Sequence, residues 1–75
     1  MSQDLILYST SACHLCEEAE SLLKLGNIKW QTIEITDNDV LLERYSFKIP
    51  VIYNRVTKDE LCWPFSLADI SIFIS

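Results

Sequence analysis

Leu5-Ile6-Leu7-Tyr8 is an apolar run, Ser11-Ala12-Cys13-His14-Leu15-Cys16 follows within three residues, and Leu15, Ala19, Leu22 and Leu23 then recur at helical spacing. Read together, they form a buried strand, a tight junction and an amphipathic helix whose first turn carries two thiols. A helix N-terminus concentrates unpaired backbone N–H groups and about half a positive charge, and both favour a thiolate over a thiol. In such surroundings cysteine pKa values fall from about 8.5 to between roughly 3.5 and 7.5. Cys13, at the start of the helix, is the candidate nucleophile, and Cys16, one turn later, the resolving thiol. The spacing predicts an exposed Cys13 and a largely buried Cys16.

Outward from this junction the chain alternates strand and helix. The first helix spans about residues 14–25, with Glu17, Glu18, Ser21 and Lys24 on its polar side and Glu20 and Lys24 as an i,i+4 pair. Gly26, the only glycine in the chain, follows it, where a left-handed residue would end the helix. Trp30 to Ile35 alternates as a second strand, with Gln31, Ile33 and Ile35 on one face. Thr36-Asp37-Asn38-Asp39 supplies caps and first-turn acids for a short helix through Val40, Leu41, Leu42 and Tyr45. A strand-helix-strand unit of this size implies parallel strands and a right-handed crossover. Ile49-Pro50-Val51-Ile52-Tyr53 reads as a third strand entered through proline, and Glu60 to Trp63 as a fourth, paired as a hairpin across the polar turn 54–58. Ser66 and Asp69 have capping-box spacing ahead of Leu67, Ile70, Phe73 and Ile74, although Ile70, Ile72 and Ile74 also alternate as a strand would. The expectation is one α/β domain over 1–75 with a four-stranded mixed sheet flanked by about three helices.

Composition narrows the function. Six basic residues against eleven acidic ones give a net charge of −5 without a basic stripe, which disfavours nucleic acid. No apolar stretch approaches the roughly 20 residues that span a bilayer, and Met1-Ser2-Gln3-Asp4 lacks the layout of an export signal, so no membrane association and a cytoplasmic location are expected. Three cysteines cannot all pair within one chain, which argues against a disulfide framework and for a transient, catalytic disulfide.

The βαβαββα order, with Tyr8-Ser9-Thr10-Ser11-Ala12-Cys13-His14-Leu15-Cys16, the Glu34-Ile35 strand end with its acidic turn, and Lys48-Ile49-Pro50-Val51, resembles the glutaredoxins of the thioredoxin superfamily. The likeness covers almost the whole chain. It implies a cis Ile49–Pro50 bond beside the cysteines, with Ile49 pairing an extended segment of substrate. It also implies thiol–disulfide exchange by Cys13 and Cys16 on protein or glutathione mixed disulfides, with glutathione as co-substrate or a reductase as electron source. No bound cofactor or metal is expected, and a monomer is. Glutaredoxins usually have Pro-Tyr where this chain has His14-Leu15, a basic residue where it has Thr10, and Gly-Gly and acidic residues where it has Cys62-Trp63-Pro64-Phe65-Ser66. Those departures fall on glutathione-binding positions. The Cys-His-Leu-Cys stretch together with Trp63-Pro64-Phe65 is most similar to a small glutaredoxin-like group.

Each candidate also has a plainer reading. His14 and Leu15 would contact substrate, and a His14 imidazolium would stabilise the neighbouring thiolate, or His14 is simply a solvated first-turn side chain. Tyr8, Thr10, Lys48, Trp63 and Phe65 are candidate groove residues, the aromatics being equally suited to the core. Lys48 and Arg44 are the nearby cations on offer to an anionic ligand. Cys62 is expected to be a buried structural thiol. Two other functions compete: a non-catalytic redox-sensing binding module, and a dimer whose thiolates share a metal or iron–sulfur site.

Overall fold

The computed structural model describes residues 4–75, so the reading of Met1, Ser2 and Gln3 as lacking an export signal lies outside the described residues. Strands β1 (Leu5–Ser9), β2 (Gln31–Glu34), β3 (Val51–Asn54) and β4 (Glu60–Cys62) form one sheet in the order β2-β1-β3-β4. β1 runs parallel to β2 and antiparallel to β3, which pairs with β4 as a hairpin. Helices α1 (His14–Leu25), α2 (Asp39–Tyr45) and α3 (Leu67–Ile74) complete the expected order.

All five residues of β1 are buried, because the central strand is covered on both faces. Leu5 and Leu7 pack with Ala19 and Leu23 of α1 and Ile70 of α3, whereas Ile6 and Tyr8 pack with Ile35 and with Tyr45 of α2. The alternation of side chains along one strand thus builds two cores. Tyr8 stacks on Tyr45 at 4.5 Å and is fully enclosed, which makes it core rather than groove. Phe65, edge-on to Trp63 at 5.0 Å, is likewise buried, leaving the half-buried Trp63 as the aromatic with surface to offer.

Three local readings are corrected, and the helical reading of the last segment is borne out. Gly26 has φ −82°, and the left-handed residue after α1 is Asn27 at φ 56°. A side chain at position 26 would place its Cβ 2.7 Å from Leu67 Cδ1 of α3 and 3.0 Å from Ile28 Cδ1, so it would have to displace the ends of those side chains. Alternation through Ile35 suggested a longer β2, but Glu34 accepts a hydrogen bond from the Thr36 N–H and turns Ile35–Asp37 into a 3-10 turn. On α1 the i,i+4 contact joins His14 Nε2 to the Glu18 carboxylate rather than Glu20 to Lys24. The last segment is helical: Ser66 and Asp69 form a reciprocal capping box, satisfying backbone donors that a strand would need a neighbour to pair. No helix among the described residues is long and apolar enough to cross a membrane.

Candidate redox site

The strand register brings distant residues to one end of the sheet. Ser9 pairs with Glu34 on one side, and the pairings of Tyr8 with Val51 and of Val51 with Cys62 set Pro50 and then Trp63 in the same row on the other. Trp63 N–H donates to the Pro50 carbonyl at 3.2 Å, carrying the ladder one step beyond the strands. From this end the chain leaves β1, turns through Thr10, Ser11 and Ala12, and enters α1.

Cys13 is the N-cap of α1, in extended conformation, and is joined to Cys16 by a disulfide with the Cα atoms 5.2 Å apart. Cys16 N–H donates to Cys13 Sγ at 3.2 Å, the capping bond that serine or aspartate oxygen ordinarily accepts. Cys16 is 2% exposed and packs under the helix, while Cys13 is half-buried, more enclosed than expected. Its sulfur is engaged by the bond to Cys16 and by the Cys16 N–H. Of the two cysteines, Cys13 is thus the more accessible.

His14 and Leu15 point outward between the cysteines. Leu15 is 42% exposed, and His14 Nε2 lies 3.1 Å from Glu18 Oε2 with its side chain well solvated, so the imidazole faces a carboxylate of its own helix. Across from them, Pro50 is fully buried, the Ile49–Pro50 bond is cis, and Ile49 is half-buried with its N–H donating to the Tyr45 carbonyl at 3.2 Å. Lys48, exposed, makes the same kind of bond to that carbonyl at 2.8 Å. The Trp63–Pro64 bond is cis as well.

One sequence reading fails here, and two residues went unnoticed. Cys62 is exposed rather than buried, because β4 is an edge strand of only three residues with nothing packed over it. Arg44, in the last turn of α2, is exposed, in keeping with its plainer reading as a solvated surface charge. The unnoticed residues are carboxylates. Glu34 at the end of β2 accepts from Ser11 N–H at 3.0 Å and from Thr36 Oγ1 at 2.9 Å, and bonds from Thr10, then Thr36 and Ser11, hold its carboxyl below the usual carboxylate range. Glu60 accepts a hydrogen bond from the buried Tyr45 hydroxyl, and burial followed by that bond raises the Tyr45 phenol above its ordinary value. Burial, and then neighbouring Tyr53, raise Tyr8 too. Glu34 stood in plain view as the strand end, but only the register with Ser9 reveals what it touches.

A family model described as glutaredoxin-like domain (DUF836) matches residues 4–75. The chain belongs to the glutaredoxin-like domain family. Among solved structures, this glutaredoxin-like domain is similar to the crystal structure of protein XcR50 from X. campestris, at 28% identity and TM-score 0.86 over 93% of each chain. It is also similar to the solution structure of protein Ne2328 from Nitrosomonas europaea, at 28% identity and TM-score 0.74, covering 100% of this chain and 94% of that one. No curated protein matches the chain. The fold is therefore thioredoxin-like, and within the matched region the chain carries the Cys13–Cys16 pair. Among the described residues, no three of His, Cys, Asp and Glu converge as a metal-binding group.

Proposed function

We propose that this glutaredoxin-like domain is a thiol–disulfide oxidoreductase. The observation that carries the reading is the Cys13–Cys16 disulfide at the start of α1, with Cys13 half-buried and Cys16 buried. In the reduced protein the Cys13 thiolate attacks a substrate disulfide, forming a mixed disulfide and expelling one substrate thiolate. The Cys16 thiolate then attacks Cys13 Sγ, releases the second substrate thiolate and closes the internal disulfide. Two electrons have passed to the substrate, and a thiol reductant restores the dithiol. Cys16 N–H and the positive end of α1 lie on the sulfur that must carry charge, which supports Cys13 as the attacking atom. Ile49 and Pro50 form the facing wall, and His14 and Leu15 the rim. The substrates are protein disulfides or glutathione mixed disulfides, with glutathione or a reductase as electron donor. The domain works as a monomer in a reducing compartment such as the cytoplasm, without a bound cofactor or metal.

The exposed Leu15 favours a second reading, a redox-sensing module that binds a protein partner without turnover. Equilibration in glutathione redox buffers, with alkylation and mass spectrometry at Cys13, Cys16 and Cys62, separates the two. A reversible Cys13–Cys16 couple that reduces disulfides catalytically, is abolished in C13S and accumulates mixed disulfides in C16S supports the oxidoreductase. Thiols that cycle without turnover support the sensor.

A further inference from the structure

The three-residue link from Ser9 to Cys13 decides where Cys13 Sγ lies, and its conformation is unusual. Ala12 has φ 58°, a left-handed conformation disfavoured for a residue with a Cβ, and one that surrounding contacts must hold. The preceding Ser11 N–H is held from outside the link by Glu34, 23 residues away in sequence. Glu34 is itself fixed from both sides: it ends β2 beside Ser9, and its other oxygen accepts from Thr36 N–H and Oγ1. A carboxylate anchored on one strand therefore restrains the loop leaving the next.

We propose that Glu34 is a positioning residue for the Cys13 nucleophile: by holding Ser11 it fixes the left-handed turn at Ala12 and keeps Cys13 Sγ on the Cys16 N–H. The inference rests on the reading of Cys13 as the reactive thiol. Geometry and charge act in opposite senses here. The hold favours the thiolate by keeping it at the helix N-terminus, whereas the negative charge of Glu34 opposes it. His14, Glu17 and Glu18 are the titratable groups at the start of α1, and they stay unchanged in the variants that separate the two effects.

E34Q keeps an acceptor for Ser11 and removes the charge, while E34D keeps the charge and shortens the reach. The measurement is the rate of iodoacetamide alkylation at Cys13 of the reduced protein between pH 4 and 9, read by mass spectrometry. E34D is expected to slow alkylation at pH 6 about three- to tenfold, the worth of one hydrogen bond, and to move the rate profile to higher pH. E34Q is expected to react as fast as the parent or faster. A merely structural role would lower the melting temperature and leave the midpoint of that profile in place. A Cys13 profile unchanged in E34D, or displaced to higher pH alike in E34D and E34Q, overturns the proposal. No disulfide substrate enters this assay, so its failure is distinct from failure of the oxidoreductase reading, which rests on turnover by the parent protein.

Discussion

Replacing Cys13 by alanine and by serine, each in reduced protein, measures what its sulfur does for α1. Of the first backbone donors of this helix, Glu17 N–H finds the Cys13 carbonyl at 3.1 Å and Cys16 N–H finds Cys13 Sγ at 3.2 Å. Alanine leaves the Cys16 donor without that partner. Serine restores it with an oxygen, a better acceptor at an N-cap. Loss of an N-cap side chain costs about 1 kcal/mol, within a range of roughly 0.5–2. For a domain of 60–100 residues, about 1 kcal/mol lowers the melting temperature by roughly 4–8 °C. C13A should thus melt about 4–8 °C below C13S, with the same ordering in urea and little change in m-value. The C13S protein should equal or exceed the reduced parent. Identical stability of C13A and C13S would refute the capping argument, and with it the claim that the same backbone donor acts on the thiolate in the parent.

Gly26→Ala should destabilise by about 1 kcal/mol through the Leu67 contact. The loss should shrink in a Leu67→Ala background, so a double-mutant cycle by urea denaturation that shows simple additivity would return Gly26 to a purely local role. Tyr45→Phe should cost about 1.5 kcal/mol by removing the hydroxyl that donates to Glu60. Because the folded Tyr45 phenol titrates above the unfolded one, its contribution is complete below pH about 10 and falls as pH rises further, a decline that Y45F should flatten in alkaline denaturation. With a net charge of −5 and Glu17, Glu18 and Glu34 on the elements framing Cys13, the reduced protein should react with cationic cystamine roughly threefold or more faster than with anionic glutathione disulfide. Stopped-flow rates at low and high ionic strength test this, since the ratio should shrink with salt.

What was legible in the sequence was local. The strand, the two thiols and the periodic leucines of α1 lie within about twenty consecutive residues, and each signal concerns near neighbours, as do the caps Asn38 and Ser66. Errors arose where a tertiary contact overrode a local pattern. Gly26 looked like a left-handed cap because glycine usually serves there, but Leu67 arrives from the far end of the chain. Alternation carried β2 one residue too far, because the end is imposed by the Glu34 side chain folding back on Thr36. Cys62 was expected inside on residue type alone, and a short edge strand put it outside. The site itself was half legible: both cysteines and Pro50 are marked by motif, whereas Glu34 depends on a strand register that no short stretch encodes.

That register makes the surroundings of Cys13 a property of the assembled sheet. Glu34, Ser9, Pro50 and Trp63 form one row contributed by four separate segments. A peptide spanning residues 4–26 would contain both thiols and the whole helix sequence, yet none of Glu34, Pro50 or Trp63. A twelve-residue helix is marginal in water by itself. Such a peptide would behave as an ordinary flexible dithiol, and the geometry that surrounds Cys13 would appear only when the chain closes on itself.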